Sequence, residues 1–199
     1  MIVTVASFKG GQAKTTTAVH IAAYLQQDKD TLLIDGDPNR SATGWAKRGD
    51  SKLPFKVCDE RQAARYAREY EHIVIDTKAR PEKEDLEAIA EGCDFLIIPC
   101  TPDALSLEAL FLMVEALEDL GPKRIRILLT IIPPRPSKDG EEALTTLEQA
   151  KLPVFSTGIR RFVAFQKAAL QGVPVYDADD PRAQEGWNDY LKIGEELLK

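Results

Sequence analysis

Short apolar runs alternate with amphipathic stretches along most of the chain. The first run is Ile2–Ser7, and further runs predict β-strands at 31–34, 55–58, 72–75, 95–99, 125–132 and 153–155. Apolar residues at helical spacing predict α-helices at 15–27, 61–69, 83–90, 106–120, 140–149 and 180–198. Strands that are apolar throughout are buried on both faces of a sheet. The pattern therefore predicts an α/β fold: a doubly wound, mostly parallel sheet with helices on both faces.

Length and composition narrow the class of protein. The chain has 199 residues, of which 44% are apolar, so we expect one domain over residues 1–199 and exclude disordered and fibrous classes. No segment approaches the roughly 20 apolar residues that span a bilayer, and we expect no secretory leader because residues 1–9 lead directly into an apolar run without a basic start. Cys58, Cys93 and Cys100 are scattered without CxxC spacing, which fits a reduced cytoplasmic protein and argues against disulfides or a zinc site.

The charges are unevenly distributed along the chain. The net charge is −6, which by itself speaks against a nucleic-acid-binding protein. Residues 120–138, however, hold five basic and no acidic side chains, and residues 149–176 hold four basic and no acidic ones. An acidic protein with this distribution can carry a basic face, or these residues can form an ordinary solvated surface.

The segment that joins the first strand to the first helix has the composition of a phosphate-binding loop. Its residues are Phe8, Lys9, Gly10, Gly11, Gln12, Ala13, Lys14, Thr15 and Thr16. Glycines let backbone N–H groups point at a polyphosphate, and the helix N-terminus adds partial positive charge. Lys14 supplies a full charge to the phosphates, and the Thr15 hydroxyl is placed to ligate Mg²⁺. Phe8 and Ala13 stand where the common GxxxxGK[ST] pattern has glycine.

Carboxylates follow two of the predicted strands. Asp35 and Asp37 come directly after the run at 31–34, and Asp76 follows the run at 72–75. Ligands of parallel sheets bind at the carboxyl ends of the strands, so these side chains are candidates for one shared site. A β-turn with an aspartate helix cap is the plainer interpretation of Asp35 and Asp37.

Taken together, residues 9–16 resemble the deviant Walker A motif of the ParA/MinD family of P-loop ATPases. The resemblance implies that this whole segment binds ATP, that Lys14 is catalytic, and that Lys9 reaches across a nucleotide-sandwich homodimer to the partner's phosphates. Ala13 replaces the usual glycine of that motif. The resemblance also places Pro174, in a Gly-x-Pro segment, and the loop after residues 130–132 near the adenine base.

The strand-end carboxylates resemble two further motifs of this family. Asp37 corresponds to the switch I aspartate that activates the attacking water and helps to hold Mg²⁺, although Asn39 replaces the usual glutamine. Asp76 corresponds to the Walker B aspartate, which holds Mg²⁺ together with Thr15. Residues 77–81 carry two cations where the switch II loop usually has prolines and small residues.

The resemblance extends to DNA contacts. The segment around Arg161 resembles the one that carries a DNA-contacting arginine, and we predict that Arg160, Arg161 and Lys167 bind DNA phosphates without sequence preference. The basic cluster at 123–126 is the second candidate for DNA contacts.

The resemblance therefore implies a ParA-type ATPase that binds ATP and Mg²⁺, dimerises, coats the nucleoid and is released when a protein adaptor stimulates hydrolysis. Its cargo is a plasmid or a protein compartment such as the carboxysome, and the altered switch II favours the latter. One alternative is a biosynthetic ligase of the dethiobiotin or cobyrinate synthase type. Another is a MinD-like membrane-cycling ATPase, but glutamates in residues 194–199 disfavour membrane binding.

Overall fold

A parallel six-stranded sheet forms the centre of the molecule. The computed structural model describes residues 1–49, 53–118, 120 and 124–199. The strands are β1 (Ile2–Ser7), β2 (Thr31–Asp35), β3 (Lys56–Asp59), β4 (His72–Ala79), β5 (Phe95–Cys100) and β6 (Ile125–Leu129). Their order is β3-β2-β4-β1-β5-β6, and every neighbouring pair is parallel. The predicted doubly wound α/β fold is confirmed.

Helices connect the strands. They are α1 (Lys14–Leu25), α2 (Ser41–Arg48), α3 (Glu60–Tyr66), α4 (Lys83–Gly92), α5 (Ala104–Glu118), α6 (Asp139–Gln149), α7 (Val163–Gln171) and α8 (Ala183–Leu197). The sequence pattern did not predict α2 or α7. In α2 only Ala42 and Trp45 are buried, which is too few for a helical apolar stripe. The predicted strand at 153–155 is wrong, because only an isolated bridge joins Val154 to Ile127.

Alternating side chains of the strands enter two separate cores. Val3, Val5 and Ile97 pack on the face covered by α1, α2, α7 and α8. Leu96 and Ile98 point to the opposite face, where α4, α5 and α6 lie. Because successive residues of a strand face opposite sides, each strand must be apolar throughout to supply both cores. The helices on both faces were therefore predictable from the continuous apolar runs.

The register of the central strands sets the position of the candidate site. Asp35 on β2 lies beside Asp76 on β4, and Asp76 lies beside Val5 on β1. Strand β4 continues past the predicted end at residue 75 to Ala79, which pairs with Ser7 across an irregularity in β1. The phosphate loop and both aspartates thus share one edge of the sheet. Within the described ranges, we find no helix with the length and apolar character that crossing a membrane requires.

Candidate functional site

The loop between β1 and α1 has an unusual backbone. Gly11 has a φ of 80°, and Ala13 has a φ of 59° in the left-handed region. A residue with a Cβ in that region costs roughly 1–2 kcal/mol, so glycine is the residue this position favours. Helix α1 begins directly after Ala13, at Lys14. Its free N–H groups therefore lie at the mouth of the loop, where they can bind an anion.

Lys14 is a buried cation at the start of α1. Its side chain is only slightly accessible, with 7% of the residue exposed. Burial lowers the pKa of Lys14, while the charges of Asp76 and Asp37 oppose that change. A charged amine in this position is incompletely solvated, so binding of a phosphate would satisfy it.

Asp76 and Thr15 form the contact at the centre of the site. The Thr15 hydroxyl donates a hydrogen bond to Oδ2 of Asp76 at 2.6 Å. Oδ1 of Asp76 is buried and has no hydrogen-bond partner. Burial raises the pKa of Asp76 to about 7, against the effects of the Thr15 hydrogen bond and the Lys14 charge.

This arrangement fits a magnesium ion. The unpartnered Asp76 oxygen and the Thr15 hydroxyl are hard oxygen donors of the kind that Mg²⁺ prefers. No group of three or more His, Cys, Asp or Glu residues in the described chain could hold a metal by itself. A magnesium ion here would therefore take its remaining ligands from water and from phosphate oxygens.

The loop after β2 is folded around Asp35. Its fully buried carboxylate accepts hydrogen bonds from the backbone N–H groups of Asp37, at 3.2 Å, and Thr43, at 2.8 Å. Asp37 in turn accepts a hydrogen bond from the N–H of Asn39 at 2.8 Å. Asp35 thus organises the loop, since both of its carboxylate oxygens are bound by backbone N–H groups. Asp37 is 7% exposed, and only its Oδ1 accepts a hydrogen bond among the described residues, which leaves Oδ2 for a ligand.

Two other loop residues are tied to the segment after β5. Lys9 donates to the hydroxyl of Ser106 at 3.0 Å and lies 3.4 Å from Oδ1 of Asp103. Gln12 also donates to Ser106, at 3.1 Å, and accepts from the backbone of Thr101 at 2.7 Å. Partial burial favours the neutral form of Asp103, but hydrogen bonds from Ser106 and Thr101 outweigh it and lower its pKa to about 2.

The sequence reasoning missed this network. Thr101 and Asp103 nevertheless carried a usable signal, because they are polar residues at the carboxyl end of a buried strand.

A cavity of about 390 Å³ opens beside the loop, on the α1 and α7 side. Its walls include Ala13, Thr16, Ile131, Arg161 and Phe162. It is mostly apolar and adjoins the predicted phosphate site, as a pocket for a flat aromatic base requires.

Pro174 does not line this cavity. It is buried at the start of a short 3-10 turn at Val175–Asp177, and its neighbour Val173 accepts a hydrogen bond from the Trp45 indole at 3.1 Å. The cavity is lined instead by residues 131 and 159–162, from the loop after β6 and from the segment before α7.

The three cations predicted to contact DNA differ in their surroundings. Arg160 forms a bidentate ion pair with the buried Asp189, with its Nη2 at 2.9 Å from Oδ1. Lys167 pairs with Asp180 at 3.1 Å. The exposed Arg161 side chain has no ion pair within the described residues. The acid-free window at 149–176 is therefore partly neutralised by acids that come later in the chain.

The second predicted cluster cannot be assessed as a whole, since Lys123 lies outside the described residues. Its other members differ: Arg124 is exposed, whereas Arg126 pairs with Glu196 on α8.

Comparison with known proteins places this geometry in a family. The sequence model of the "CobQ/CobB/MinD/ParA nucleotide binding domain" matches residues 3–175. The chain is 34% identical over 201 residues to the Maintenance of carboxysome distribution protein A of Gloeobacter kilaueensis, covering 98% of this chain and 93% of that protein. It is 28% identical over 184 residues to the protein of the same name from Halothiobacillus neapolitanus, covering 86% of this chain and 85% of that protein.

A solved structure agrees at the level of the fold. The apo McdA structure from Cyanothece matches with a TM-score of 0.73 at 18% identity, covering 100% of this chain and 99% of that one. The similarity of sequence over nearly the whole chain, together with the loop and the strand-end aspartates, leads to one conclusion. The chain belongs to the CobQ/CobB/MinD/ParA nucleotide-binding domain family.

Proposed function

We propose that this protein is a ParA-type ATPase that binds Mg-ATP, dimerises around two nucleotides and positions cargo on DNA. The observation that carries the proposal is the convergence of Lys14, Thr15, Asp37 and Asp76 at the carboxyl ends of neighbouring strands. A buried cation, a metal-binding hydroxyl and two carboxylates are what a triphosphate and its magnesium ion require. Mg-ATP supplies the phosphoanhydride bond whose hydrolysis drives the cycle.

The residues of the site divide the work of hydrolysis. The N–H groups of the loop and the Lys14 ammonium bind and orient the phosphates, and Thr15 and Asp76 hold the magnesium ion. Asp37, held at the edge of the site by the loop around Asp35, orients the attacking water and accepts its proton.

Lys9 acts between subunits in this proposal. In the isolated chain its ammonium is bound by Ser106 and Asp103. Release from this partly exposed pair requires little energy, since such pairs contribute roughly 0–1 kcal/mol. Lys9 would then reach the phosphates of a second copy and stabilise the charge of the transition state.

DNA binding rests on Arg161 in this proposal. Its guanidinium is exposed and has no ion pair among the described residues, so it can contact a phosphate without breaking an existing interaction. Arg160 and Lys167 are paired with Asp189 and Asp180, so they contribute less to DNA affinity than two unpaired cations would.

The cargo is inferred from the relatives. Two of them, covered over most of their lengths, are named for maintaining carboxysome distribution, and we propose the positioning of a protein compartment as the function of this chain. A protein adaptor that stimulates hydrolysis would release the dimer from the nucleoid.

The proposal is tested by measuring DNA binding of the purified chain by anisotropy, with Mg-ATP, with Mg-ADP and without nucleotide. We expect dimer formation and salt-sensitive DNA binding with Mg-ATP alone, with equal affinity for unrelated sequences. Equal DNA binding in all three conditions would contradict it. ATP turnover that requires a small carboxylic acid and ignores DNA would instead indicate a ligase.

A further inference from the structure

A four-residue segment forms the outer wall of the cavity beside the phosphate loop. We call residues 159–162, which precede α7, the strap. All four residues of the strap line the cavity. Its last three residues also line a second groove, of about 310 Å³, together with Arg135 and Arg182. The strap therefore separates the proposed base site from an arginine-rich surface.

The backbone of the strap is attached to the segment that follows β6. The N–H of Ile159 donates to the carbonyl of Leu129 at 2.8 Å, and the N–H of Arg161 donates to the carbonyl of Ile132 at 2.8 Å. Between them, Ile131 has a φ of 52°, in a region that β-branched residues rarely adopt. Strain of this kind persists only where the surroundings hold the chain firmly. The cavity wall is thus built from two irregular segments that need support from elsewhere.

Asp189 on α8 provides that support through Arg160. Its carboxylate is 2% exposed and accepts hydrogen bonds from Nε of Arg160 at 3.0 Å, from Nη2 at 2.9 Å and from the backbone N–H at 3.1 Å. All of these donors belong to one residue of the strap. The guanidinium also lies over the Phe162 ring, 4.9 Å from its centroid. Asp189 therefore fixes the backbone of the strap and orients the Arg160 guanidinium beside Phe162, a ring over which Arg182 also lies at 4.3 Å.

We propose that Asp189 and Arg160 are positioning residues that hold the base end of the nucleotide site. This inference rests on the proposed function, because it takes the cavity to be the place of the nucleoside. Without Asp189, the strap would keep its backbone bonds and the exposed contact of Arg160 with Glu185, at 3.6 Å between Nη1 and Oε2, but it would lose its buried anchor to α8. Ordering the strap would then oppose the binding of a nucleoside. The triphosphate would be unaffected, since it binds the loop at residues 9–16.

The test compares two ligands on Asp189→Asn, a substitution that keeps the shape and removes the charge. Titration calorimetry with ATP should show about tenfold weaker binding, equivalent to about 1.4 kcal/mol. Binding of inorganic tripolyphosphate, which has no base, should stay within twofold. In steady-state assays, KM for ATP should rise while kcat changes little, because the interaction lost contributes equally to ground state and transition state.

Glu196→Gln is the matched control. Glu196 also lies on α8, pairs with Arg126 and accepts hydrogen bonds from the N–H of Ser156 at 3.0 Å and its hydroxyl at 2.7 Å. It ties α8 to a neighbouring loop that does not line the cavity. This variant should lower the melting temperature while leaving the ratio of ATP to tripolyphosphate affinity at the wild-type value.

Arg160→Lys covers the case in which Asp189→Asn does not fold. It keeps the charge opposite Asp189 and loses the bidentate geometry, so ATP affinity should fall about threefold with tripolyphosphate unchanged. Equal losses for both ligands, or no loss for either in a folded variant, would overturn the inference. Wild-type protein that binds tripolyphosphate as tightly as ATP would do the same. Wild-type protein that binds neither ligand would contradict the proposed function itself.

Discussion

The two ends of the candidate nucleotide site are built in different ways. At the phosphate end, Lys14 and Thr15 are neighbours in the sequence, and Asp76 meets them at the end of an adjacent strand. At the base end, the wall comes from Ile131 and the strap, and its anchor is Asp189. The first end is a local motif on regular elements, whereas the second depends on contacts between distant parts of the chain.

This difference indicates which substitutions adjust ligand affinity and which abolish activity. The phosphate end is buried and fixed by the sheet register, so almost any substitution there removes the chemistry. The base end is a partly exposed surface supported by one buried ion pair. We therefore expect substitutions at the phosphate end to abolish activity, and substitutions at the base end to adjust affinity.

The largest expected effect is at Lys14. Lys14→Ala removes the buried ammonium that faces the phosphates, and ATP affinity should fall about 1,000-fold, or about 4 kcal/mol. Binding of tripolyphosphate should fall in parallel, as measured by calorimetry. Lys29→Ala, at an exposed pair with Glu71, is the control and should bind both ligands normally. Micromolar ATP binding by Lys14→Ala would contradict the assignment of the phosphate end.

Asp37→Ala should separate binding from hydrolysis. We expect turnover to fall about 100-fold, a typical contribution of a general base, with ATP affinity nearly unchanged. The dimer should then accumulate with ATP, which light scattering detects. Asp28→Ala, between the C-terminal end of α1 and the amino end of β2, serves as the control. Normal turnover in Asp37→Ala would exclude the residue from its proposed role.

His20 joins the start of α1 to the turn at Val175–Asp177 and should make stability depend on pH. Its Nδ1 donates to the carbonyl of Thr16 at 2.7 Å, and its Nε2 accepts from the N–H of Val175 at 3.0 Å. Burial lowers the pKa of His20 to about 4, below its unfolded value of 6.5. The neutral ring is therefore favoured in the folded state, and its contribution is complete above pH 6.5 and is lost as the pH falls toward 4.

Urea unfolding at pH 7.5 and pH 5 measures this contribution. Between pH 7.5 and pH 5, the free energy of unfolding of the wild-type protein should fall by about 2 kcal/mol more than that of His20→Gln. Other groups titrate in both proteins and cancel in the difference. Equal losses would show that the ring is not held neutral.

The smallest expected effect is on DNA. Arg161→Ala should weaken DNA binding about fivefold to tenfold and reduce the salt dependence by about one phosphate contact per subunit. The measurement is made at saturating ATP, because Arg161 also lines the cavity. Lys167→Ala should have less effect, since Asp180 already holds its ammonium. Anisotropy at several salt concentrations distinguishes the two, and equal effects would contradict the ranking.

Much of the fold could be predicted from the sequence. The predicted strand at Ile2–Ser7 has the same bounds as β1, because a short continuous apolar run that ends at glycines is typical of a buried strand. Helices α2 and α7 were missed, since each buries only two residues and so leaves no apolar stripe in the sequence.

The phosphate end of the site could also be predicted, whereas at the base end only the loop after residues 130–132 was, and the strap and its anchor were not. Residues 9–16 form a contiguous motif, and the strand ends locate Asp37 and Asp76 by topology alone. In contrast, Asp189 lies 29 positions after Arg160, and no local pattern marks the pair. The acid-free windows favoured Arg160 and Lys167 as DNA contacts without showing their ion pairs, because acids that follow later in the chain were not counted.

The most direct test of the account is a crystal structure of Asp37→Ala with ATP and magnesium. We predict the triphosphate along residues 10–16, the magnesium ion beside Thr15 and Asp76, the base against the strap and Lys9 of a second copy at the γ-phosphate. A nucleotide bound elsewhere, or a monomer with an empty crevice at the strand ends, would contradict it.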